Sequence, residues 1–186
     1  MKHRLSTVLA VLLGAGACAG DAPTATVPVF DVSASMGIVA NGGRNAATSL
    51  SGAEEVPPTA TRARGTAIFH LSDDGLELSY KLIVANIENV VQAHIHLNPA
   101  GQNGPVVAFL FGPAAAGGGR VNGVIAEGVI TADDLISSLA GQPLSALVDA
   151  MVAGNTYVNV HTNDGVGSSN TGPGDFASGE IRGQID

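Results

Sequence analysis

Short runs in which apolar and polar residues alternate fill the chain from about Ala46 onward. From Leu76 to Val84 every second residue is apolar, which is the spacing of a β-strand with one buried face. A similar run at 66–71 precedes it, and the turn sequence SDDG lies between the two, which predicts a β-hairpin. Comparable runs predict strands at 91–97, 106–111, 123–130, 156–162 and 180–185. So many short strands favour an all-β fold, a β-sandwich with Greek-key connections.

A short helical insertion interrupts the predicted strands. Thr131, followed by Ala132 and two aspartates, is typical of a helix N-cap with acids in the first turn. Pro143 then predicts a helix start and Gly154 its end. Between them one apolar stripe recurs at helical spacing, and we interpret it as core packing: Leu144, Leu147, Val148 and Met151.

The first residues of the chain predict export. A basic start at 2–4 is followed by the short apolar run 8–13 and by small residues that lead to Cys18, the chain's single cysteine. The sequence at 15–18, AGAC, resembles a lipobox, in which Cys18 would become the lipidated first residue of a bacterial lipoprotein. The alternative is ordinary signal cleavage after 15–17.

These features divide the chain into a signal peptide at 1–18, a disordered tether at 19–45 and a folded domain at 46–186. The tether consists mainly of Ala, Thr, Val, Pro, Gly and Ser with no sustained periodicity. We therefore expect a cell-envelope lipoprotein or a secreted protein, which touches a membrane only through a lipid on Cys18. Without the other cysteines that a disulfide needs, the domain must depend on its core.

The charge of the chain limits its partners. The formal net charge is -8, and no basic run occurs in the predicted domain. Removal of the signal, with Lys2 and Arg4, makes the charge about -10. Nucleic acid and anionic membrane surfaces are therefore poor candidates as partners.

In three predicted strands the polar side chains occupy one face and the apolar side chains the other. The polar set comprises Gln92, His94, His96, Tyr157, Asn159, His161, Glu180, Arg182 and Gln184. If these strands are neighbours, we expect three histidines, a glutamate and an arginine to share one outer surface of the sheet.

Such a surface has the ligands for a metal ion. His94 and His96 stand at i and i+2, so both imidazoles leave the same face of their strand, and His161 would supply the third nitrogen. Three imidazoles suit copper or zinc, with a fourth position for water or for the carboxylate of Glu55 or Glu180. In the alternative interpretation the same histidines only make cross-strand hydrogen bonds, and Arg182 pairs with a glutamate to hold the sheet edge.

Other chemistries find little support in the sequence. The predicted domain has no cysteine, no Gly-x-Ser-x-Gly turn and no Gly-Lys-Ser/Thr phosphate loop. Glu54 and Glu55 are adjacent, so in an extended segment they would point to opposite faces, which is unsuitable for paired acid/base work. We therefore predict no enzymatic role and assign no catalytic residue.

Five segments of the predicted domain resemble the chordin-type, or CHRD, domain. In chain order they are LSGAEEVPP at 50–58, AHIH at 93–96, GQNGPVV at 101–107, YVNVHT at 157–162 and GEIRGQ at 179–184. The chain departs from the family pattern mainly between Thr162 and Gly179, where the family has a shorter turn. The resemblance implies a β-sandwich module that occurs in animal chordins, which bind extracellular growth factors, and in exported bacterial proteins.

A weaker resemblance is to copper/zinc superoxide dismutase, which is also a Greek-key sandwich with a His-x-His strand. That family's zinc-binding loop and subunit disulfide have no counterpart in this sequence. What remains of the resemblance is a fold of the immunoglobulin or superoxide-dismutase type and a mononuclear copper or zinc site.

The prediction of function is thus an exported, surface-tethered CHRD module that binds an extracellular protein or surface ligand without catalysis. The alternative is a metalloprotein, a metal carrier or redox enzyme, that holds copper or zinc at His94, His96 and His161.

Overall fold

The computed structural model describes residues 44–185. The predicted signal peptide, Cys18 and nearly all of the predicted tether lie outside the described residues.

Eight antiparallel strands form one hydrogen-bonded sheet in the order β5-β4-β7-β8-β1-β2-β3-β6. Their bounds are β1 (Asn45–Ser51), β2 (Arg64–Leu71), β3 (Leu78–Glu88), β4 (Val90–Leu97), β5 (Val106–Phe111), β6 (Arg120–Ile130), β7 (Thr156–Thr162) and β8 (Ile181–Ile185). The connections from β3 to β4, from β5 to β6 and from β6 to β7 pass between the two halves of this order, as in a Greek key. The Tyr80 hydroxyl on β3 donates to the Leu110 carbonyl on β5 at 2.8 Å, so the two ends of the sheet lie close together, almost as in a barrel. The all-β prediction is confirmed.

The alternating pattern places the core. On β3, Leu78, Leu82 and Val84 are buried, because every second side chain of a strand faces the same side. Ile87 is also buried, because an irregularity in the pairing between Val84 and Ile87 shifts the alternation. The bounds of β5 and β7 are those predicted from the sequence. The predicted start of β3 at Leu76 is wrong, since Leu76 belongs to the turn and is 65% exposed.

Strand β1 is absent from the strands predicted above. Its apolar side chains are small apart from Leu50, which is buried, so the local alternation is weak. Pairing with β2 along its whole length, from Asn45 opposite His70 to Ser51 opposite Arg64, holds β1 in the sheet.

The helical insertion between β6 and β7 is also present. Thr131 and Asp134 form a capping box around a short 3-10 turn (Ala132–Asp134), and a second 3-10 turn (Ser137–Leu139) follows. Helix α1 (Leu144–Val152) comes next, and its predicted apolar stripe is buried: Leu144, Leu147, Val148 and Met151. Among residues 44–185, no helix has the length and apolar character needed to cross a membrane.

Candidate functional site

The three strands that carry the polar set are neighbours. β7 lies between β4 and β8, with His94 opposite Asn159 and His96 opposite Tyr157. Asn159 in turn lies opposite Arg182 on β8. Register therefore decides which polar side chains meet, and it brings His161 opposite Gln92, beside His94.

The ring nitrogens of His94, His96 and His161 converge. One nitrogen from each ring lies within 4.8 Å of the other two, and His94 Nδ1 is 3.2 Å from His161 Nε2. A tetrahedral ion with zinc–nitrogen bonds of about 2.0–2.1 Å would hold its ligand nitrogens about 3.4 Å apart. One pair already has this spacing, and the widest pair needs to approach by up to about 1.4 Å.

Hydrogen bonds fix the tautomers of two of the rings. The carbonyl oxygen of Gly104 lies 2.8 Å from His96 Nδ1, and that of Ala177 lies 2.9 Å from His161 Nδ1. Because a carbonyl can only accept, each of these Nδ1 atoms carries the proton and each Nε2 is left with a lone pair. The Asn159 side-chain amide lies 3.0 Å from His161 Nε2, so on this assignment it turns its N–H₂ group toward that lone pair, and a bound ion would replace this contact. Backbone carbonyls hold metal-binding histidines in this way in many proteins.

The third ring has two possible arrangements. His94 Nε2 lies 3.0 Å from the Gln92 side-chain oxygen, so a proton on Nε2 would leave the Nδ1 lone pair facing that of His161. A proton on Nδ1 would instead be donated to His161 Nε2, and the pair would be an ordinary hydrogen bond. Only the first arrangement presents three lone pairs to one ion.

His96 supplies an observation that the hydrogen-bond interpretation does not account for. Its Nε2 is buried and lacks a partner among the described residues. A buried acceptor without a partner is costly, and a bound cation would satisfy it.

Burial keeps the three imidazoles neutral. It lowers the pKa of His94 to about 3, and the positive charges that His161 and His96 would carry add to the effect. Burial likewise lowers the pKa of His96 and of His161. Neutral imidazole is the form that binds metal, so His94 stays competent well below neutral pH and the lowered pKa values of the other two rings act in the same direction.

The outer surface that the sequence predicts for these side chains is covered rather than exposed to solvent. His94 is 4% exposed and Arg182 is 1% exposed. The loop between β4 and β5 covers them through Gly104 and Asn103, and Phe109 on β5 packs edge-on against His94 at 4.6 Å. These loops turn the outer face of the sheet into a buried polar layer.

A stack of three side chains forms the wall of this layer next to His96. The Tyr157 ring lies parallel to that of His96 at 4.7 Å, and the Arg182 guanidinium lies 3.4 Å from the centre of the tyrosine ring. The Tyr157 hydroxyl accepts from the Gly104 backbone N–H at 3.0 Å. Tyr157 therefore fixes the orientation of His96 in two ways. Its ring packs against the imidazole, and its hydroxyl holds the loop whose Gly104 carbonyl accepts from His96.

Glu55 lies near Gly179 and Arg182, outside the group of converging histidine nitrogens. It is 5% exposed, and its Oε1 atom is buried without a hydrogen-bond partner among the described residues. Burial raises the pKa of Glu55 to about 7, although the positive Arg182 lowers it. Glu55 and Asn159 both flank Gly179, since a Cβ added to that glycine would lie within 2.9 Å of both side chains.

Glu180 has a different role. Its carboxylate accepts from the hydroxyls of Thr61 and Thr162, both at 2.6 Å, and from the Gly174 N–H at 2.9 Å. These bonds tie the loop before β8 to the segment before β2. Its carboxylate oxygens are therefore already hydrogen-bonded, and the residue is 1% exposed. Glu180 is not part of the group of side chains whose ligand atoms converge.

Two backbone carbonyl groups that orient the rings could not be predicted from the sequence. Those of Gly104 and Ala177 come from loops, where no periodicity indicates which backbone atoms point inward. The only signal for the first was its place in the segment GQNGPVV. Glycine is required at Gly104 because an added Cβ would lie 2.7 Å from the Leu97 carbonyl carbon.

Comparison with known proteins identifies the family. The model of the CHRD domain matches residues 46–185, which is most of the chain. No curated protein and no solved structure matches it. The chain belongs to the CHRD domain family.

Proposed function

We propose that this chain is an exported, surface-tethered CHRD module that binds rather than catalyses, and that its ligand includes a copper or zinc ion at His94, His96 and His161. The observation that carries the metal proposal is the convergence of three ring nitrogens within 4.8 Å. Its support is the set of carbonyl contacts that leave two Nε2 lone pairs directed away from the backbone.

Burial of the site favours holding an ion over turning over a substrate. A redox enzyme needs a coordination position that its substrate can reach, whereas His94 and His96 are each less than a tenth exposed. Only His161 is partly exposed. Such limited access to the ion is more suitable for a metal carrier or a metal-stabilised binding module than for a metalloenzyme.

The test is metal content followed by titration. Protein recovered from its native envelope is analysed for copper and zinc, and metal-free protein is then titrated with each ion. We expect binding tighter than micromolar, and His161→Ala should weaken it about 100-fold or more, because a direct ligand is lost. His70→Ala is the matched control, since His70 is exposed and lies outside the three-histidine group.

Two outcomes would overturn the metal proposal. One is affinity weaker than micromolar for both ions. The other is an equal loss of affinity in His161→Ala and His70→Ala, which would place the ion elsewhere. X-ray absorption of the loaded protein should show three imidazole nitrogens around the ion.

The proposed tether is tested separately, through the lipid. Cells grown with labelled palmitate should transfer the label to the native chain and lose that transfer in Cys18→Ser. Unlabelled native protein in the soluble fraction would instead support plain signal cleavage and secretion.

A further inference from the structure

A second candidate binding site lies away from the histidines. A short 3-10 helix (Gly52–Glu54) follows β1. A cavity of about 810 Å³ opens beside the segment that joins this helix to β2. The start of β6 and the loop at Pro173 and Gly174 form its other sides. Its volume is in the range of pockets that enclose small molecules, about 300–1,000 Å³.

Arginine is concentrated around this cavity. The described residues contain six lysines and arginines: Arg44, Arg62, Arg64, Lys81, Arg120 and Arg182. Three of these, Arg62, Arg64 and Arg120, line the one cavity, although the chain as a whole has a net charge of -8. Such clustering of one sign of charge inside a cleft raises the local concentration of anions.

Most of the guanidinium groups around the cavity are free to bind a ligand. Within residues 44–185, Arg62 and Arg64 form no ion pair. Arg120 Nε lies 3.5 Å from a carboxylate oxygen of Glu88, and both side chains are more than half exposed, so this pair is weak. Arg64 uses one of its five N–H donors on its neighbouring carbonyl and keeps the rest.

The acidic groups of the cavity do not cancel the arginines. Glu180 lies at the wall, but its oxygens already accept from Thr61, Thr162 and Gly174, and the side chain is 1% exposed. Glu88 is the only other acid of the lining and is shared with Arg120. The lining thus has three guanidinium groups and two carboxylates, and the carboxylate of Glu180 is buried and already hydrogen-bonded.

We propose that this cavity binds a small polyanion that carries two or more carboxylate or phosphate groups. Guanidinium groups bind both kinds of oxyanion through paired hydrogen bonds, and a ligand with several such groups can engage arginines from both sides of the cleft. This site is separate from the histidine cluster, and it gives an acidic protein a means to bind an anionic molecule.

The experiment uses the full mature chain, freed of metal, in isothermal titration with two probes. Tricarballylate presents three carboxylates, and inorganic pyrophosphate presents phosphates, so the two arms distinguish the sources of the shared chemistry. We expect a dissociation constant in the millimolar range or tighter for at least one probe, and weaker binding at higher salt. No detectable binding of either probe would overturn the proposal.

Matched double variants locate the site. Arg62→Gln with Arg120→Gln should weaken binding at least tenfold, whereas Arg44→Gln with Lys81→Gln removes the same charge outside the cavity and should change it less than twofold. Equal weakening in the two doubles would show non-specific attraction and refute the site. If the first double does not fold, amide shifts of the wild-type protein decide: probe-induced shifts confined to residues near Gly174 support the cavity, and shifts elsewhere refute it.

Discussion

Replacement of Glu55 by Gln should change how the stability of this domain depends on pH. Glu55 is 5% exposed, and one of its oxygens is buried without a hydrogen-bond partner among the described residues. Burial raises its pKa from 4.5 to about 7, so the folded state holds this proton more tightly than the unfolded state does. Stability therefore falls as the pH rises from 4.5 through 7, because a buried carboxyl must lose its proton.

The magnitude follows from the pKa. One pKa unit corresponds to about 1.4 kcal/mol, so a pKa raised from 4.5 to about 7 lowers the free energy of unfolding by about 3 kcal/mol between low and high pH. Glutamine has nearly the same shape and no titratable proton. Relative to wild type, Glu55→Gln should thus gain about 3 kcal/mol between pH 4.5 and pH 8.5.

The assay is urea denaturation of metal-free protein across this pH range. The lowered pKa of His94 acts in the opposite sense, because its stabilising contribution is complete above its unfolded pKa near 6.5 and is lost as the pH falls toward about 3. That dependence is common to wild type and variant, so the difference between the two proteins isolates Glu55.

Glu54→Gln is the matched control, since Glu54 is the exposed neighbour. Its stability should follow the wild-type curve in parallel. Parallel curves for Glu55→Gln as well would refute the reasoning, because they would mean that Glu55 ionises in the folded state as it does in water.

Three further substitutions test the packing around the candidate sites by urea denaturation. Glu180→Gln should cost about 1–3 kcal/mol, because an amide N–H₂ would face hydroxyl and N–H donors, yet it should leave copper or zinc affinity unchanged. Gly183→Ala should cost about 1–3 kcal/mol or more, because its Cβ would lie 2.7 Å from Thr48 Oγ1, whereas Gly118→Ala, with nothing within 4 Å, serves as control. Leu147→Ala should cost about 2–5 kcal/mol, because the side chain is fully buried and a cavity would remain. Costs below 0.5 kcal/mol in any of the three would contradict the contacts described.

Periodicity accounts for what sequence analysis predicted of the fold. Each strand face is set by alternation within a few residues, which is why β5 and β7 begin and end where the pattern places them. The same alternation put His94 and His96 on one face, and the structure shows that His161 joins them. Weak local signals explain the omission of β1, whose place depends on pairing with β2.

The sequence by itself determined the strand-rich fold, the helical insertion and the pairing of His94 with His96 on one strand face, since each depends on residues close together in the chain. It offered His161 as the third ligand only on condition that its strand lies beside theirs, which the tertiary structure decided. Only the tertiary structure decided that loops bury the polar face, that Glu180 is used by Thr61 and Thr162, and that Arg62, Arg64 and Arg120 line one cavity. These features join residues up to 119 positions apart, as between Thr61 and Glu180. Their contacts form only when strand order and register are set, and no local pattern encodes them.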